Sequence, residues 1–388
     1  MGRVYMRPGV LPYLKNMSVL RVLQVVGGLD VGGIESLLCS IMRNLDRNRV
    51  QFDFLKHNPA CGFYEKEITD AQGKIYTAPA PHRSGFLKYI LWLRNFFREH
   101  GEYHIVHGHY PLYASVYLGL ARIYGRRTIA HAHLAAPFSP IESVPVRTGR
   151  ALLQFPLAHI AEYRMACSAG AAEYIFGRRT AVNRDYIFLP NARDTSVFAY
   201  NAGKRREMRK KLGLEGMFVT GHAGRFEKQK NHAFLVNVFC EINKRCPESR
   251  LLLMGDGPLK EETEKLTAEK GLSGKVIFTG NVPDPQNYYQ AMDLFVLPSL
   301  SEGLPLTMAE AQISGLPCLM AAHLPREADL GCGLVSTVGL GQPYSEWAEA
   351  ALGKRGIKRY DRRDYAVKKG FDITAVSAEL QKFYLSLE

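Results

Sequence analysis

The 388-residue sequence has no run approaching the roughly 20 apolar residues that a membrane-spanning helix requires. Its seven cysteines (39, 61, 167, 240, 246, 318 and 332) are odd in number, and no two are spaced C-x-x-C. That pattern argues against a disulfide framework or a thiolate zinc site and fits a reducing cytosol. Residues 1–16 contain Arg3, Arg7, Pro8, Pro12 and Lys15, which interrupt any secretory h-region. They are read as a flexible extension ahead of Met17 or as an over-called start. Acidic residues are scarce beside basic ones: 37 Asp and Glu face 50 Lys and Arg, a formal net charge of +13, with a pI near 9.3. Such a surplus points to nucleic acid, an anionic membrane or a phosphorylated substrate. It is unevenly spread, since residues 1–198 hold 24 basic and 14 acidic side chains and residues 199–388 hold 26 and 23. No helix-turn-helix, zinc-finger or RNP signature accompanies it, so nucleic acid is not expected as a partner.

What is present is an alternation of short apolar runs with longer helical patterns, the signature of an α/β protein. Strands are predicted at 19–26, 52–55, 74–77, 105–107, 128–131, 165–168 and 186–189, and again at 217–223, 250–254, 276–279, 294–297 and 317–320. The length suits two consecutive doubly wound units of similar size. The crossing between them is expected after Pro190 and Asn191, because residues 199–211 turn polar and strongly basic. This divides the chain into a first domain at 17–198 and a second at 199–371. The last segment, 372–388, carries an apolar stripe (Ile373, Val376, Leu380, Phe383, Leu387) behind a candidate N-cap, Asp372. It is predicted to cross back to the first domain. Facing sheets of this kind bind ligands in the cleft at the carboxyl ends of their strands.

Several residues suggest chemistry at that cleft. Glu302 and Glu310 lie in P-S-L-S-E-G-L-P-L-T-M-A-E-A at 298–311, after the strand 294–297. Glu302 is expected in the loop and Glu310 about two turns into a helix opening near Pro305, so both can face one ligand at the helix N-terminus. Carboxylates there repel a bare phosphate and are read as acceptors for sugar and ribose hydroxyls. Taken alone, the spacing reads sooner as a surface Glu with a helix partner. Arg225 and Lys230 sit where a strand gives way to a helix, and two fixed positive charges there suit a diphosphate leaving group. Gly27, Gly28, Gly32 and Gly33 form a turn that is neither G-x-G-x-x-G nor a P-loop. Gly32 and Gly33 allow close backbone approach to a diphosphate or an acceptor. Two H-x-H pairs, His107 with His109 and His131 with His133, end consecutive strands, and positions i and i+2 share a strand face. No carboxylate or cysteine joins them, so no metal is expected; one imidazole is read as a hydrogen-bonding group on the donor or acceptor.

The stretch P-S-x-x-E-G-L-P-L-x-x-x-E-A-x-x-x-G-L-P at 298–317 strongly resembles the donor-site motif of glycosyltransferase family 4, retaining enzymes of GT-B fold. G-R-F-E-K-Q-K-N at 224–231, M-G-D-G-P at 254–258 and T-G-N-V-P-D at 279–284 also match, covering 217–320 closely. The first half matches more loosely, through Gly32, Gly33 and Glu35, the H-x-H pairs and P-N-A at 190–192. The resemblance implies two facing Rossmann-like domains with a deep cleft. It implies that Arg225 and Lys230 clamp the donor pyrophosphate, that Glu310 takes the ribose hydroxyls and that Glu302 takes the donor sugar. Gly224, Gly303, Leu304, Pro305 and Gly33 would present backbone to phosphate and sugar, and Val282 would lie near the base. His133 is favoured over His131 as the site histidine, and Gly32, Glu35 and His109 fall on the acceptor side.

The chain has no Asp-x-Asp, the metal clamp of the other major glycosyltransferase fold. Basic side chains are expected to do that work, with no metal or cofactor beyond the nucleotide-sugar co-substrate. The expected function is a cytoplasmic, retaining hexosyltransferase, with a UDP-sugar favoured by family habit and a lipid-linked or surface polysaccharide as acceptor. The architecture is shared by nucleotide-sugar epimerases, by phosphorylases and by non-catalytic nucleotide-sugar or glycan-binding proteins of transferase descent; a pyridoxal-type lysine site for a phosphorylase has no support here. The segment F-L-K-Y-I-L-W-L-R-N-F-F-R at 86–98 is aromatic, apolar and basic at once, and Arg122, Arg126, Arg127, Arg147 and Arg150 continue its sign. It reads either as a helix covering the first sheet or as a surface for the anionic inner face of the membrane.

Overall fold

A computed structural model describes residues 19–30, 32–134 and 157–388. The expected extension at 1–16, together with Arg147 and Arg150, lies outside the described residues.

Two all-parallel sheets organise the chain. The first runs β3-β2-β1-β4-β5-β6-β7, from β1 (Leu20–Val26), β2 (Val50–Lys56), β3 (Ile75–Thr77), β4 (Tyr103–Gly108), β5 (Arg127–Ala132), β6 (Tyr163–Ala166) and β7 (Ile187–Phe188). The second runs β10-β9-β8-β11-β12-β13, from β8 (Phe218–Ala223), β9 (Ser249–Met254), β10 (Val276–Phe278), β11 (Leu294–Leu297), β12 (Cys318–Ala321) and β13 (Val335–Val338). Strand order reverses at β1/β4 in one sheet and at β8/β11 in the other, which places a ligand crevice at each. Helices cover both faces, so central strands such as β2 and β8 are buried at every position. This is why the predicted strands recur within about two residues at each end. The strand not foreseen is β13, an edge strand of sequence V-S-T-V that is half-exposed and has no apolar run.

Asp372 caps the last helix, Ile373–Leu385, accepting the Thr374 and Ala375 N–H groups at 3.1 Å. The helix buries Ile373, Val376, Leu380 and Phe383 against Val22, Phe52 and other residues of the first sheet, as the stripe suggested, and Leu387, just past its end, joins the same core. Tyr384 joins them, fully buried. The chain therefore passes twice between the two halves, and the two passages are bonded to each other. Arg193 N–H donates to Phe371 O and Ile373 N–H to Arg193 O, both at 2.9 Å, and the Thr195 hydroxyl donates to Asp372 Oδ2 at 2.7 Å. The basic stretch after the crossing is largely a helix, Ala202–Lys211, anchored where Arg205 and Arg209 bind Asp293 and nearby backbone carbonyls. Helix Phe86–Glu99 buries Tyr89, Leu93, Phe96 and Phe97 and exposes Phe86, Leu87 and Leu91 beside Lys88, Arg94 and Arg98.

Candidate active site

The loop after β8 is held by the loop after β9. Gly224 N–H donates to Met254 O and Phe226 N–H to Asp256 O, each at 3.0 Å, and Leu259 N–H donates to Phe226 O at 2.9 Å. Gly255 and Gly257 adopt φ of +127° and +155°, and a Cβ on either would strike the backbone of Gly224 or Phe226. The glycines of 254–258 thus support the basic loop. Asn231 ends that loop with φ +58°, a left-handed conformation that Asn tolerates. Its amide donates to Pro298 O at 3.1 Å, the Gln229 amide donates to Ser301 O at 2.7 Å, and Leu300 N–H donates to Gln229 O at 2.8 Å. The basic loop and the loop after β11 are fastened together, and Lys230 Nζ lies 2.7 Å from Glu302 Oε1. Both side chains are largely buried, at 19% and 8% exposure. Gly224 is small for a local reason, since a Cβ there would come within 3.1 Å of Lys230 Cδ and His222 Nε2.

Arg225 is placed differently from its expected clamp partner. Its side chain is 70% exposed and its Nε lies 3.1 Å from Glu227 Oε1, so it stands at the surface while Lys230 is packed inside. Val282 is half-buried in the loop between β10 and the helix Pro285–Ala291, Leu304 is buried, and Pro305 is the N-cap of the helix Leu306–Ile313. Glu310 is the fifth residue of that helix, a little over one turn from its start instead of two. Its carboxylate is buried and fully engaged: Oε1 accepts from Arg193 Nε at 2.6 Å and Oε2 from the Tyr289 hydroxyl at 2.8 Å. Arg193 also reaches Ser36 Oγ at 3.2 Å. Sequence reasoning missed both Arg193 and Tyr289. The P-N-A run was read, but nothing local distinguishes the arginine that follows it, whose partner lies 117 residues on.

The first half closes against this unit at several points. A Cβ on Gly303 would collide with the His133 carbonyl oxygen, one on Gly33 would meet Leu306 Cδ1 at 3.7 Å, and Asn191 Nδ2 donates to Leu304 O at 3.3 Å. Glu35 occupies the first turn of the helix Gly33–Asn44, so close to Gly32 that a Cβ there would strike its carboxylate. Burial, with Asp30 nearby, raises its pKa above the usual carboxylate value. Burial likewise lowers His133 to about 4, against the opposing pull of the Asn191 side chain, so the ring is neutral at pH 7. His109 Nδ1 lies 2.9 Å from His133 Nε2, and His109 Nε2 lies 2.8 Å from Gln24 Oε1. His131 is buried beside them. The structure therefore brings Glu302, Lys230, Gly303, Leu304, Glu310, Gly33 and His133 to one meeting line of the two halves.

A sequence model described as Glycosyltransferase Family 4 matches residues 31–197, and one described as Glycosyl transferases group 1 matches 218–342. The putative glycosyltransferase EpsF of Bacillus subtilis (strain 168) is 32% identical over 385 residues, covering 96% of this chain and 98% of that protein. An Escherichia coli UDP-Gal:alpha-D-GlcNAc-diphosphoundecaprenol alpha-1,3-galactosyltransferase is 35% identical over 137 residues, 34% of this chain and 35% of its own. Among solved structures, Anabaena Alr3699/HepE in complex with UDP and glucose superposes with a TM-score of 0.73 at 18% identity, covering 95% of this chain and 100% of that one. That likeness establishes the GT-B architecture of the two facing sheets. With motif, fold and a full-length relative in agreement, this chain belongs to glycosyltransferase family 4 and is a glycosyltransferase.

Proposed function

We propose that the enzyme transfers a hexosyl group, with retention and without a metal at the phosphates, from a nucleotide-sugar to a lipid-linked or surface-polysaccharide acceptor. The observation that carries this reading is the Lys230–Glu302 pair, 2.7 Å apart, beside the N-terminus of the helix that bears Glu310. Lys230, joined by Arg225 swinging in from the surface, offers positive charge to the diphosphate. Glu302 then accepts from sugar hydroxyls and Glu310 from the ribose. In the transfer the acceptor hydroxyl oxygen bonds to the anomeric carbon as the bond from that carbon to the phosphate oxygen breaks. The acceptor proton passes to the departing phosphate oxygen on the same face, so no separate general base is needed. Lys230 stabilises the charge that grows on the leaving diphosphate. A UDP-sugar is favoured because the Escherichia coli relative is named for UDP-Gal and the Anabaena structure holds UDP and glucose.

Two measurements test this. A donor present at 100 times its dissociation constant should stabilise the protein by about 2.7 kcal/mol in a thermal-shift panel of UDP- and GDP-sugars; a response to GDP-sugars alone overturns the UDP assignment. The anomeric configuration of the product, read by NMR, should match the donor's. An inverted linkage overturns retention and points to Glu35 or His133 as a base.

The acceptor reading rests on helix Phe86–Glu99, where exposed Leu87 and Leu91 stand beside Lys88, Arg94 and Arg98. Its other face is core, so the covering and the interfacial roles share one helix. No described helix is long and apolar enough to cross a membrane. Docking at the cytoplasmic surface of the membrane would gain ~1 kcal/mol per basic residue near anionic lipid. Co-sedimentation with anionic vesicles should be strong at low salt and lost at high salt; binding indifferent to salt overturns the electrostatic docking.

A further inference from the structure

Four imidazoles crowd one face of β4, β5 and the residues leaving them: His107, His109, His131 and His133, all buried. Ring centroids are 4.2 Å apart for His107 and His109, 3.9 Å for His131 and His133, and 5.3 Å for His131 with either His107 or His109. One nitrogen from each of His107, His109 and His131 lies within 4.8 Å of those of the other two. Two of these rings also have polar neighbours of another kind. His107 Nδ1 is 2.6 Å from the Tyr384 hydroxyl and His109 Nε2 is 2.8 Å from Gln24 Oε1. The Leu189 carbonyl approaches His131 without reaching hydrogen-bond geometry. Gln24 Nε2 in turn donates to the Tyr384 hydroxyl at 3.3 Å, which ties the group to the last helix.

Inside the group, partners run out. Among the described residues, His107 Nε2, both nitrogens of His131 and His133 Nδ1 have none. Buried polar atoms are nearly always satisfied, and a neutral imidazole brings one donor and one acceptor. Burial is the main cause holding His107, His109 and His131 in that neutral form, with a lone pair to give. For His107 and His109, a buried ring held through one nitrogen by a hydroxyl or an amide oxygen, with like neighbours beside it, is the arrangement of a metal-binding histidine and its outer shell.

We propose that His107, His109 and His131 bind one divalent transition-metal ion of the zinc class. Three imidazoles and an open fourth position suit zinc, whereas magnesium and calcium prefer oxygen ligands. Ligand nitrogens in a tetrahedral zinc shell stand about 3.3 Å apart, given Zn–N bonds of about 2.0–2.1 Å. Rotation of the rings about their broad terminal torsions closes the remaining gap. A metal taking the lone pair of His109 Nδ1 displaces the His133 N–H now beside it. Occupancy therefore changes what His133 can offer at the cleft, while the donor phosphates stay with Lys230. The sequence expectation of no metal rested on the absence of a carboxylate or cysteine, which a three-imidazole site does not need.

The test uses the full-length protein, stripped with EDTA, desalted and titrated with ZnCl2 alone, with Co2+ as a spectroscopic substitute. The expected result is one equivalent of zinc bound, a Co2+ visible spectrum of four-coordinate intensity, and a zinc-dependent rise in Tm. His131→Gln and His107→Gln should each bind at least tenfold more weakly and lose the Tm response, while the exposed His323→Gln binds as the parent does. Melting of the stripped variants separates lost ligation from lost fold, and His107→Gln carries the test should His131→Gln fail to fold. Substoichiometric zinc, a six-coordinate Co2+ spectrum, or unchanged binding in both variants overturns the site.

Discussion

Glu302 and Glu310 stand eight positions apart on one loop–helix unit, and each is bonded to a cation, but the two cations come from opposite sides of the molecule. Lys230 belongs to the same half as Glu302, and its loop is fastened to the loop of Glu302 through Gln229, Asn231 and Leu300. That pair is set by the second half alone. Arg193 belongs to the passage between the halves, is bonded to the return passage at Phe371 and Ile373, and reaches Ser36 of the first half as well as Glu310. The second pair thus ties the passage between the halves to the helix that bears Glu310. The difference is one of position: one carboxylate is paired within its own half, the other with an arginine of the passage between the halves. A nucleotide-sugar would draw Lys230 onto phosphate and release Glu302 to hydroxyls, and its ribose would compete with Arg193 for Glu310. Lys230 and both carboxylates would each exchange one partner for another, while Arg193 would keep Ser36.

The largest effect should follow from breaking the first pair. Lys230→Ala should lower kcat/KM by about 100-fold or more, the scale of losing one electrostatic contact to a developing charge. Glu302→Ala should act similarly, and the double variant should be no less stable than the worse single one, with a coupling of about 1.5–3 kcal/mol for a charged hydrogen bond. Additive stabilities in the cycle would show that the pair is incidental. Next comes the closure itself. Gly303→Ala sets a methyl group against the His133 carbonyl oxygen, a backbone atom that cannot rotate aside. It should cost roughly tenfold in kcat/KM, of the order of 1.4 kcal/mol, with Lys230 and Glu302 still paired, and a small-angle scattering profile should show more open halves.

Breaking the second pair should reverse that balance. Arg193→Ala leaves Glu310 buried with Tyr289 as its remaining hydrogen-bond partner, a loss of about 1–3 kcal/mol in unfolding free energy. On the proposed ribose role of Glu310 the arginine would compete with the donor, so the donor KM should hold or fall. A donor KM that rises as steeply as in Lys230→Ala would make Arg193 a binding residue and end the distinction between the two pairs.

The residues of the first pair were singled out in the sequence, though not their pairing, and Arg193 of the second was not, for a physical reason. Glu302, Glu310 and Lys230 lie in short runs whose spacing is fixed by a strand end, a tight loop and a helix start, so local pattern carries their geometry. The strands were legible because parallel strands covered on both faces are unbroken apolar runs; β13, half-exposed at an edge, lacked that mark. Arg193 meets Glu310 across 117 residues, and Tyr384 meets His107 across 277, contacts that leave no local periodicity. For Arg225 the motif fixes the place on the loop and not the direction of the side chain. Its motif position suggested a clamp, yet the side chain is turned to solvent against Glu227.

Acid offers a finer probe, because two buried histidines lie under the first pair. His232 stacks on Phe226 with ring centroids 3.9 Å apart, and His222 lies 4.9 Å from His232. Burial is the chief cause lowering His232 to about 4 and His222 well below its ordinary value, with Lys230 adding to both. Both folded-state values lie under those of the unfolded chain, near 6.5. Their cost is absent above about pH 6.5 and grows as pH falls toward 4, because the unfolded chain binds protons there and the folded one does not. Each group contributes up to about 1.4 kcal/mol per pH unit in that window. His232→Phe, which keeps the stack and removes two unpartnered ring nitrogens, should flatten the acid side of the stability curve by that slope. An unchanged slope in denaturant titrations at pH 7, 6 and 5 would show that His232 is not held neutral.

The smallest effect should come from Gly33→Ala, and it tests whether closure tolerates any addition at the meeting line. Gly33 and Gly303 both face the opposite half, and both were read from the sequence as glycines that let backbone approach a ligand. At Gly303 the neighbour is a fixed carbonyl; at Gly33 it is the Leu306 Cδ1 methyl, 3.7 Å from the new Cβ, an ordinary van der Waals distance to a side chain that can rotate. Gly33 carries no positive φ that an alanine would strain, and as the first residue of a helix it should gain slightly from the substitution. Stability should therefore change by no more than about 0.5 kcal/mol, with Arg193 and Glu310 still paired. Should donor KM nevertheless rise in Gly33→Ala while the stability holds, the space above that glycine is needed by the ligand and not by the closure, and Gly33 belongs with Lys230 and Glu302 on the chemical side of the molecule.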